Sequence, residues 1–192
     1  MTIGTILLYI LLFLLVLLFI AILFIMCVWM WTGIKAKVPF IPVPNSILPD
    51  IEKALNISGG SVVYDLGCGD ARVLSYLANK NRDSQFIGIE NGLFPVNLAR
   101  ILTWWNKRKG RGVVEVLDKD FFTHDLKNAT HIFLYLYPNV MDDLLSKLEK
   151  ELAPGSRIVS ATFKFTQKKP VLEIDLSRKG YQLAKKLYVY EF

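Results

Sequence analysis

Residues Ser61 to Arg72 read SVVYDLGCGDAR, and this stretch decides the fold. Val62, Val63 and Tyr64 form a short β-prone apolar run of the kind that makes a buried strand. Asp65 and Leu66 end the strand, Gly67-Cys68-Gly69 makes a tight turn, and a helical pattern begins near Ala71. Two glycines two apart let a backbone approach a ligand without a Cβ in the way. The helix that follows aims its unpaired N–H groups and positive end at the same place. Asp65 and Asp70 flank the turn, which suits a ligand carrying both a carboxylate and a cation better than a pyrophosphate. The dinucleotide fingerprint needs a third glycine, and here that position is Arg72.

Outward from the turn, strand and helix alternate. The first helix is expected over Ala71–Asn79, with Val73, Leu74 and Leu77 as its apolar face. Gln85–Glu90 reads as the second strand, ending in an acid 23 residues after Gly67. A Rossmann-like acid that reaches ribose hydroxyls stands at about 20 residues. Glu90 is therefore the ribose candidate, with Asn91 beside it. A second helix runs from Pro95 to about Lys109, and Val113–Leu117 is the third strand. It leads into Asp118-Lys119-Asp120-Phe121-Phe122. Asp120 is the candidate acceptor for an adenine amino group and the Phe121 N–H the donor to a ring nitrogen, with Asp118 the alternative register. His124 and His131 show no partner in sequence, and surface or satisfied-core roles are expected.

Thr130–Tyr137 reads as the fourth strand, followed by Pro138 and Asn139. The period of two would put Tyr135 and Tyr137 on one face. Tyr137 and Asn139 would then stand beyond the strand end, where ligands sit in open α/β sheets. Aromatic rings there hold a cation or an amine. The alternative is a buried strand whose tyrosines are satisfied elsewhere. Met141, Leu144, Leu145, Leu148 and Leu152 form a helical stripe, and Arg157–Ala161 is the fifth strand. Val171–Leu176 and Leu187–Glu191 are two more, expected to pair antiparallel because no long helix separates them.

The N-terminal region is of a different kind. The first 34 residues carry no charge, and Ile6–Trp31 is a continuous uncharged stretch long enough to cross a bilayer. A cleaved signal peptide would want a basic start and small residues at a cleavage site. Met1–Thr5 has no Lys or Arg, and Trp29 and Trp31 stand where the small residues would be needed. A permanent transmembrane anchor over 1–34 is expected. The first basic residues, Lys35 and Lys37, follow the span and predict a cytoplasmic C-terminal side. Val38–Pro49, with prolines at 39, 42, 44 and 49, is expected to be an extended linker (residues 35–49), either a spacer or a flap over the ligand. Asp50 would cap a short helix over Ile51–Leu55. Residues 50–192 form the expected soluble domain. The chain's formal charge is +6, all of it beyond residue 34, but the basic residues lie in small groups and no nucleic-acid motif is present, so no nucleic-acid partner is expected. Two cysteines, Cys27 and Cys68, without metal spacing, fit a reducing compartment and predict no metal.

YDLGCGDAR resembles the first motif of the class I, seven-β-strand S-adenosylmethionine (AdoMet) methyltransferases. With VPFIPVP, GIEN, DKDFF and YLYPNVMDDLLSKLEKELAPGSRIVS, the chain is most similar to the archaeal and membrane-anchored mitochondrial protein-lysine methyltransferases. The resemblance covers most of Val38–Phe165. It implies a Rossmann-like seven-strand sheet with helices on both faces, AdoMet as cofactor, and methyl transfer by direct displacement to a protein lysine. Asp65, Gly67, Cys68, Gly69, Asp70, Glu90, Asn91, Asp120, Phe121 and Tyr135 would hold the cofactor, and Tyr137 and Asn139 would position the acceptor. Cys68 and Ala71 depart from the family's serine and glycine, and YLYPN departs on the acceptor side. The alternatives are a small lipid-soluble acceptor, such as a quinone, lipid amine or phenol, and a non-catalytic AdoMet-binding protein.

Overall fold

The computed structural model describes residues 2–35, 41–177 and 184–192. The chain divides into two compact units, Met1–Pro39 and Phe40–Phe192. The first is one helix, α1 (Ile3–Lys35). Within it, Ile3–Cys27 is 25 residues long and its most apolar stretch has a mean hydropathy of 3.5, so it is long and apolar enough to cross a membrane.

The second unit opens with residues 41–44 and a 3₁₀ turn, Asn45–Ile47, which runs directly into α2 (Leu48–Leu55). This corrects the expectation of an extended linker to Pro49. A proline without an N–H is tolerated in the first helical turn, and Pro49 sits there. Asp50 consequently lies inside the helix, and Ile47 takes the cap position. Ile47, Leu48, Ile51 and Leu55 are all buried, which ties this segment to the core. The remaining linker residues, 36–40, lie outside the described residues.

Seven strands form one sheet: β1 (Val62–Leu66), β2 (Gln85–Glu90), β3 (Glu115–Asp118), β4 (His131–Leu134), β5 (Arg157–Ala161), β6 (Leu172–Asp175) and β7 (Lys186–Glu191). Their order is β3-β2-β1-β4-β5-β7-β6. The first five are parallel, while β7 runs antiparallel to both β5 and β6, the pairing of the last two strands that the sequence predicts. Strand alternation sorts the core into two layers. Val63, Phe133, Val159 and Ala161 pack with α2, with α3 (Arg72–Lys80) and with Ala99 of α4 (Leu93–Arg108). Tyr64, Leu66, Ile132, Leu134 and Ile158 pack on the other face with the Met141, Leu144, Leu145 and Leu148 stripe of α5 (Pro138–Glu151).

Most element ends lie within a residue or two of the sequence reading, and two of the differences bear on the site. β3 begins at Glu115, its register partner being Ile87, rather than at Val113. A side chain at Gly112 would collide with the Ala78 backbone, so the chain passes α3 closely before it can pair. β4 ends at Leu134, because Pro138 already occupies the first turn of α5 and the intervening residues must turn the chain out of the sheet. Tyr135 and Tyr137 therefore do not share a strand face. Tyr135 packs against the α2–α3 layer, whereas the Tyr137 ring stacks on Phe163, which belongs to the α5 layer.

Candidate functional site

The sheet order reverses at β1, with β2 on one side and β4 on the other. In open α/β sheets such a switch point leaves a crevice beyond the strand ends. The Gly67–Ala71 turn stands there. Its first two amides, of Gly67 and Cys68, both donate to the Ile89 carbonyl at 2.8 and 3.1 Å, which locks the turn to the end of β2. Gly67 has φ of 79°, and a Cβ on it would lie 3.0 Å from the Leu136 side chain. Only glycine is free of strain at that φ. Ala71 also has positive φ, 58°, and is fully buried. A non-glycine residue there carries about 1–2 kcal/mol of steric cost.

Three carboxylates converge on the turn. Glu90 accepts from the Gly69 amide at 3.0 Å through one oxygen and from the Gly92 amide at 2.8 Å through the other. This fixes the carboxylate plane and leaves a lone pair on each oxygen for further donors. Asp70 is held by Arg72 through several hydrogen bonds, one of them 2.6 Å from Nη2, and Arg72 also donates to the Val43 carbonyl at 3.2 Å. Asp65 is different. Its residue is 3% exposed, and its carboxyl accepts no hydrogen bond among the described residues. Burial, with the Glu90 and Asp70 charges beside it, raises its pKa well above the ordinary carboxylate value. A buried carboxyl without a partner at the mouth of a crevice is built to meet a cation.

The other expected residues distribute around this centre. Cys68 turns its side chain away, so that a Cβ on Gly88 would come within 2.6 Å of its sulfur. Burial and the neighbouring carboxylates push the thiol far up, so it stays protonated and serves as packing. Asn91 is exposed just past β2. Asp118 lies opposite Glu90 in the β2–β3 register. Asp120 accepts from the Phe122 amide at 2.8 Å, which shapes the loop and leaves the Phe121 amide without a partner among the described residues. The Phe121 and Phe122 rings lie 4.8 Å apart. These residues form one continuous edge from β1 across β2 to β3.

The acceptor-side candidates lie at the ends of β4 and β5. Tyr137 precedes α5, its ring 5.8 Å from that of Phe163, and Asn139 is exposed in the first turn of α5. Burial raises the Tyr135 phenol, partly offset by the neighbouring Thr162 hydroxyl. Thr162 carries no sequence signal. It sits at φ of 72°, in a turn closed by a 2.9 Å bond from the Phe163 amide to the Ala161 carbonyl. A β-branched residue there is a genuine outlier, and its Oγ1 is buried without a hydrogen bond of good geometry among the described residues. The two histidines are accounted for otherwise. His131 Nδ1 is 2.9 Å from the Thr130 hydroxyl, and His124 packs 5.8 Å from the Tyr64 ring. Burial lowers the pKa of both. No cluster of metal-binding side chains occurs among the described residues.

Comparison with known proteins follows the same edge. The family model for the ANTKMT methyltransferase domain matches residues 65–172. A protein-lysine N-methyltransferase of Saccharolobus islandicus is 34% identical over 129 residues, 66% of this chain and 77% of that protein. The adenine nucleotide translocase lysine N-methyltransferase of Mus musculus is 29% identical over 72% of this chain, which spans 58% of that protein's length. Among solved structures, an RNA methyltransferase of Salinibacter ruber bound to S-adenosyl-L-homocysteine superposes with a TM-score of 0.70 at 27% identity. That match covers 79% of this chain and 93% of the other.

Proposed function

The chain is an AdoMet-dependent methyltransferase that belongs to the family of the ANTKMT methyltransferase domain, and from that premise we propose that it methylates the ε-amine of a protein lysine at a membrane. The observation that carries the acceptor class is the archaeal relative, whose name states protein-lysine methylation and of which this chain spans 77%. The anchor reading rests on the 25-residue apolar stretch of α1 and on the basic residues that follow it, which favour a cytoplasmic catalytic domain.

The residues of the turn fit the cofactor. AdoMet, when bound, supplies a methyl group activated on a positively charged sulfur, and carries an ammonium, a carboxylate, a ribose and an adenine. Asp65, buried and without a partner among the described residues, would take the ammonium. The backbone of Gly67–Gly69 would let the amino-acid end approach, with the dipole of α3 favouring its carboxylate. Glu90, already oriented by two amides, would accept from the ribose hydroxyls through its remaining lone pairs. Asp120 and the Phe121 amide would serve the adenine. The side chain of Cys68 takes no part beyond packing the turn.

On the acceptor side the chain must deliver a neutral amine. Lowering a lysine from about 10.4 to about 7 corresponds to roughly 4.6 kcal/mol. Desolvation in an aromatic surround, beside a cationic partner, lowers an amine pKa in that direction. Tyr137 and Phe163, stacked at 27°, provide such a surround, and Asn139 offers an oxygen atom to orient the amine, with Tyr135 left to the cofactor. No general base is assigned, since His124 and His131 are engaged elsewhere. The chain's contribution is positioning and exclusion of water rather than proton abstraction.

The test supplies AdoMet with a labelled methyl to the full chain in membranes, with lysate and membrane fractions as acceptors. Label recovered as methyl-lysine in one protein band supports the proposal and names the substrate. Label in the organic extract moves the acceptor to a lipid-soluble small molecule, and label in RNA moves it to nucleic acid, the acceptor that the Salinibacter neighbour's name states.

A further inference from the structure

Helix α4 carries two apolar stripes, and only one of them has a partner. Val96, Ala99 and Thr103 face the sheet and are buried. On the opposite side, Phe94, Ile101 and Trp105 recur at helical spacing, flanked by Trp104 and Leu93, and all five are exposed. Ile101 is 63% exposed and Trp105 52%. A water-facing stripe on a soluble domain should be polar, so this one needs an occupant.

The charge around the stripe says which occupant. Residues 91–114 contain Arg100, Lys107, Arg108, Lys109 and Arg111 and no Asp or Glu, so this segment carries five positive charges against the chain's formal +6. None of the five pairs with a carboxylate among the described residues. Instead the Arg108 guanidinium lies over the Trp104 ring at 4.3 Å and the Lys109 ammonium over the Trp105 ring at 5.2 Å. Each pair sets an amphipathic ring beside a cation, the combination that lies at the headgroup level of a bilayer. A neutral or basic partner surface would leave these cations unpaired, whereas anionic phosphates match them.

The location of the helix agrees. Gly92 caps the start of α4, and its amide is held by Glu90 at 2.8 Å. Glu90 holds Gly69 in turn, and Arg72, three residues on, holds the Val43 carbonyl. The segment that leads from α1 into the catalytic domain therefore enters beside the same cofactor turn from which α4 departs.

We propose that the outward face of α4, with Phe94, Ile101, Trp104 and Trp105 as its apolar stripe and Lys107, Arg108, Lys109 and Arg111 as its cationic end, docks the catalytic domain onto an anionic lipid surface. The cofactor turn then lies on the side of the domain from which α4 departs, near that surface. The orientation deepens the membrane reading given above and rests on it for its biological setting, but the face can be tested apart from the anchor.

The chain has four tryptophans, at 29, 31, 104 and 105. In the full chain carrying Trp29→Phe and Trp31→Phe, emission reports on α4 alone. The protein is reconstituted with bilayers of phosphatidylcholine, or of phosphatidylcholine and phosphatidylglycerol at about 7:3, each with and without brominated acyl chains. Docking predicts strong quenching in the anionic bilayers only. The further variant Lys107→Gln, Arg108→Gln, Lys109→Gln, Arg111→Gln should weaken docking by about a hundredfold, bringing quenching down to the neutral-bilayer level while AdoMet binding is kept. Equal emission with and without brominated lipid in the anionic bilayers, or equal quenching in neutral and anionic ones, overturns the proposal. Alkaline carbonate extraction reports separately on the anchor. If the chain washes off membranes, the anchor reading fails, and quenching by added anionic vesicles still decides the face.

Discussion

Asp65→Asn should make the cofactor-free protein more stable as pH rises, while impairing the site. Folding buries this carboxyl beside Glu90 and Asp70 with no hydrogen bond to the charged form, and its pKa is raised for that reason. For an acid raised on folding, the native state holds the proton more tightly than the unfolded chain. Asp65 therefore costs nothing near and below the unfolded value of 3.8, and its cost grows as pH rises from there until the folded pKa is passed. Each pH unit in that window is worth about 1.36 kcal/mol. Against the unfolded value of 3.8, the cost is at most about 3 kcal/mol at pH 6 and at most about 4.4 kcal/mol at pH 7. Asparagine avoids this cost, although its buried amide adds an offset of about 1–3 kcal/mol that does not change with pH. The assay is denaturant unfolding of the full chain in non-ionic detergent at pH 4, 5, 6 and 7, for both proteins without cofactor. The difference between them should tilt toward the asparagine variant as pH rises, by up to about 1.4 kcal/mol per pH unit until the folded pKa is passed. In the same samples, AdoMet affinity of the variant should fall and lose its pH dependence, whereas the native protein should release a proton on binding. A stability difference that stays flat between pH 4 and 7 would refute the reasoning, because Asp65 would then titrate like an ordinary carboxyl.

Glu90→Gln keeps the size but sets an amide NH₂ against one of two backbone donors, so AdoMet affinity should drop at least tenfold by calorimetry, about 1.4 kcal/mol. Ala71→Gly should raise the unfolding free energy by about 1 kcal/mol, because glycine carries no Cβ penalty at φ of 58°; an unchanged midpoint would mean that the strain is relieved elsewhere. Arg72→Gln loosens Asp70 and the Val43 carbonyl together, and limited proteolysis near residues 41–44 should speed up several-fold, with AdoMet slowing it again. Tyr137→Phe keeps the stack on Phe163, and its methyl transfer should stay within a few-fold of native, whereas Tyr137→Ala should lose at least tenfold in kcat with AdoMet affinity unchanged. Equal rates for the two Tyr137 variants would remove the ring from the acceptor side.

Sequence alone determined the parts of this protein that depend on local pattern. The strand–glycine turn–helix at 61–72, the span of β2, the α5 stripe and the antiparallel end all follow from periodicity and turn chemistry. So does the apolar length of α1, since hydropathy is additive along a chain. The acids at 65, 90 and 120 were legible because strand ends and spacing place them on one edge. Tertiary structure decided what their surroundings do to them. Asp65 and Asp70 look alike in sequence, but only Arg72 and the depth of β1 make one a paired acid and the other an unpartnered buried one. Cys68 turned into the core because Gly88 of the neighbouring strand leaves the space. β4 stopped short because the helix after it had to begin at Pro138, which separated Tyr135 from Tyr137. Thr162 was invisible until β5, β7 and the end of β4 met around it, and the outward stripe of α4 showed as exposed only when its other side was filled. Burial and φ are properties of what packs around a residue, and neighbours distant in sequence supply them.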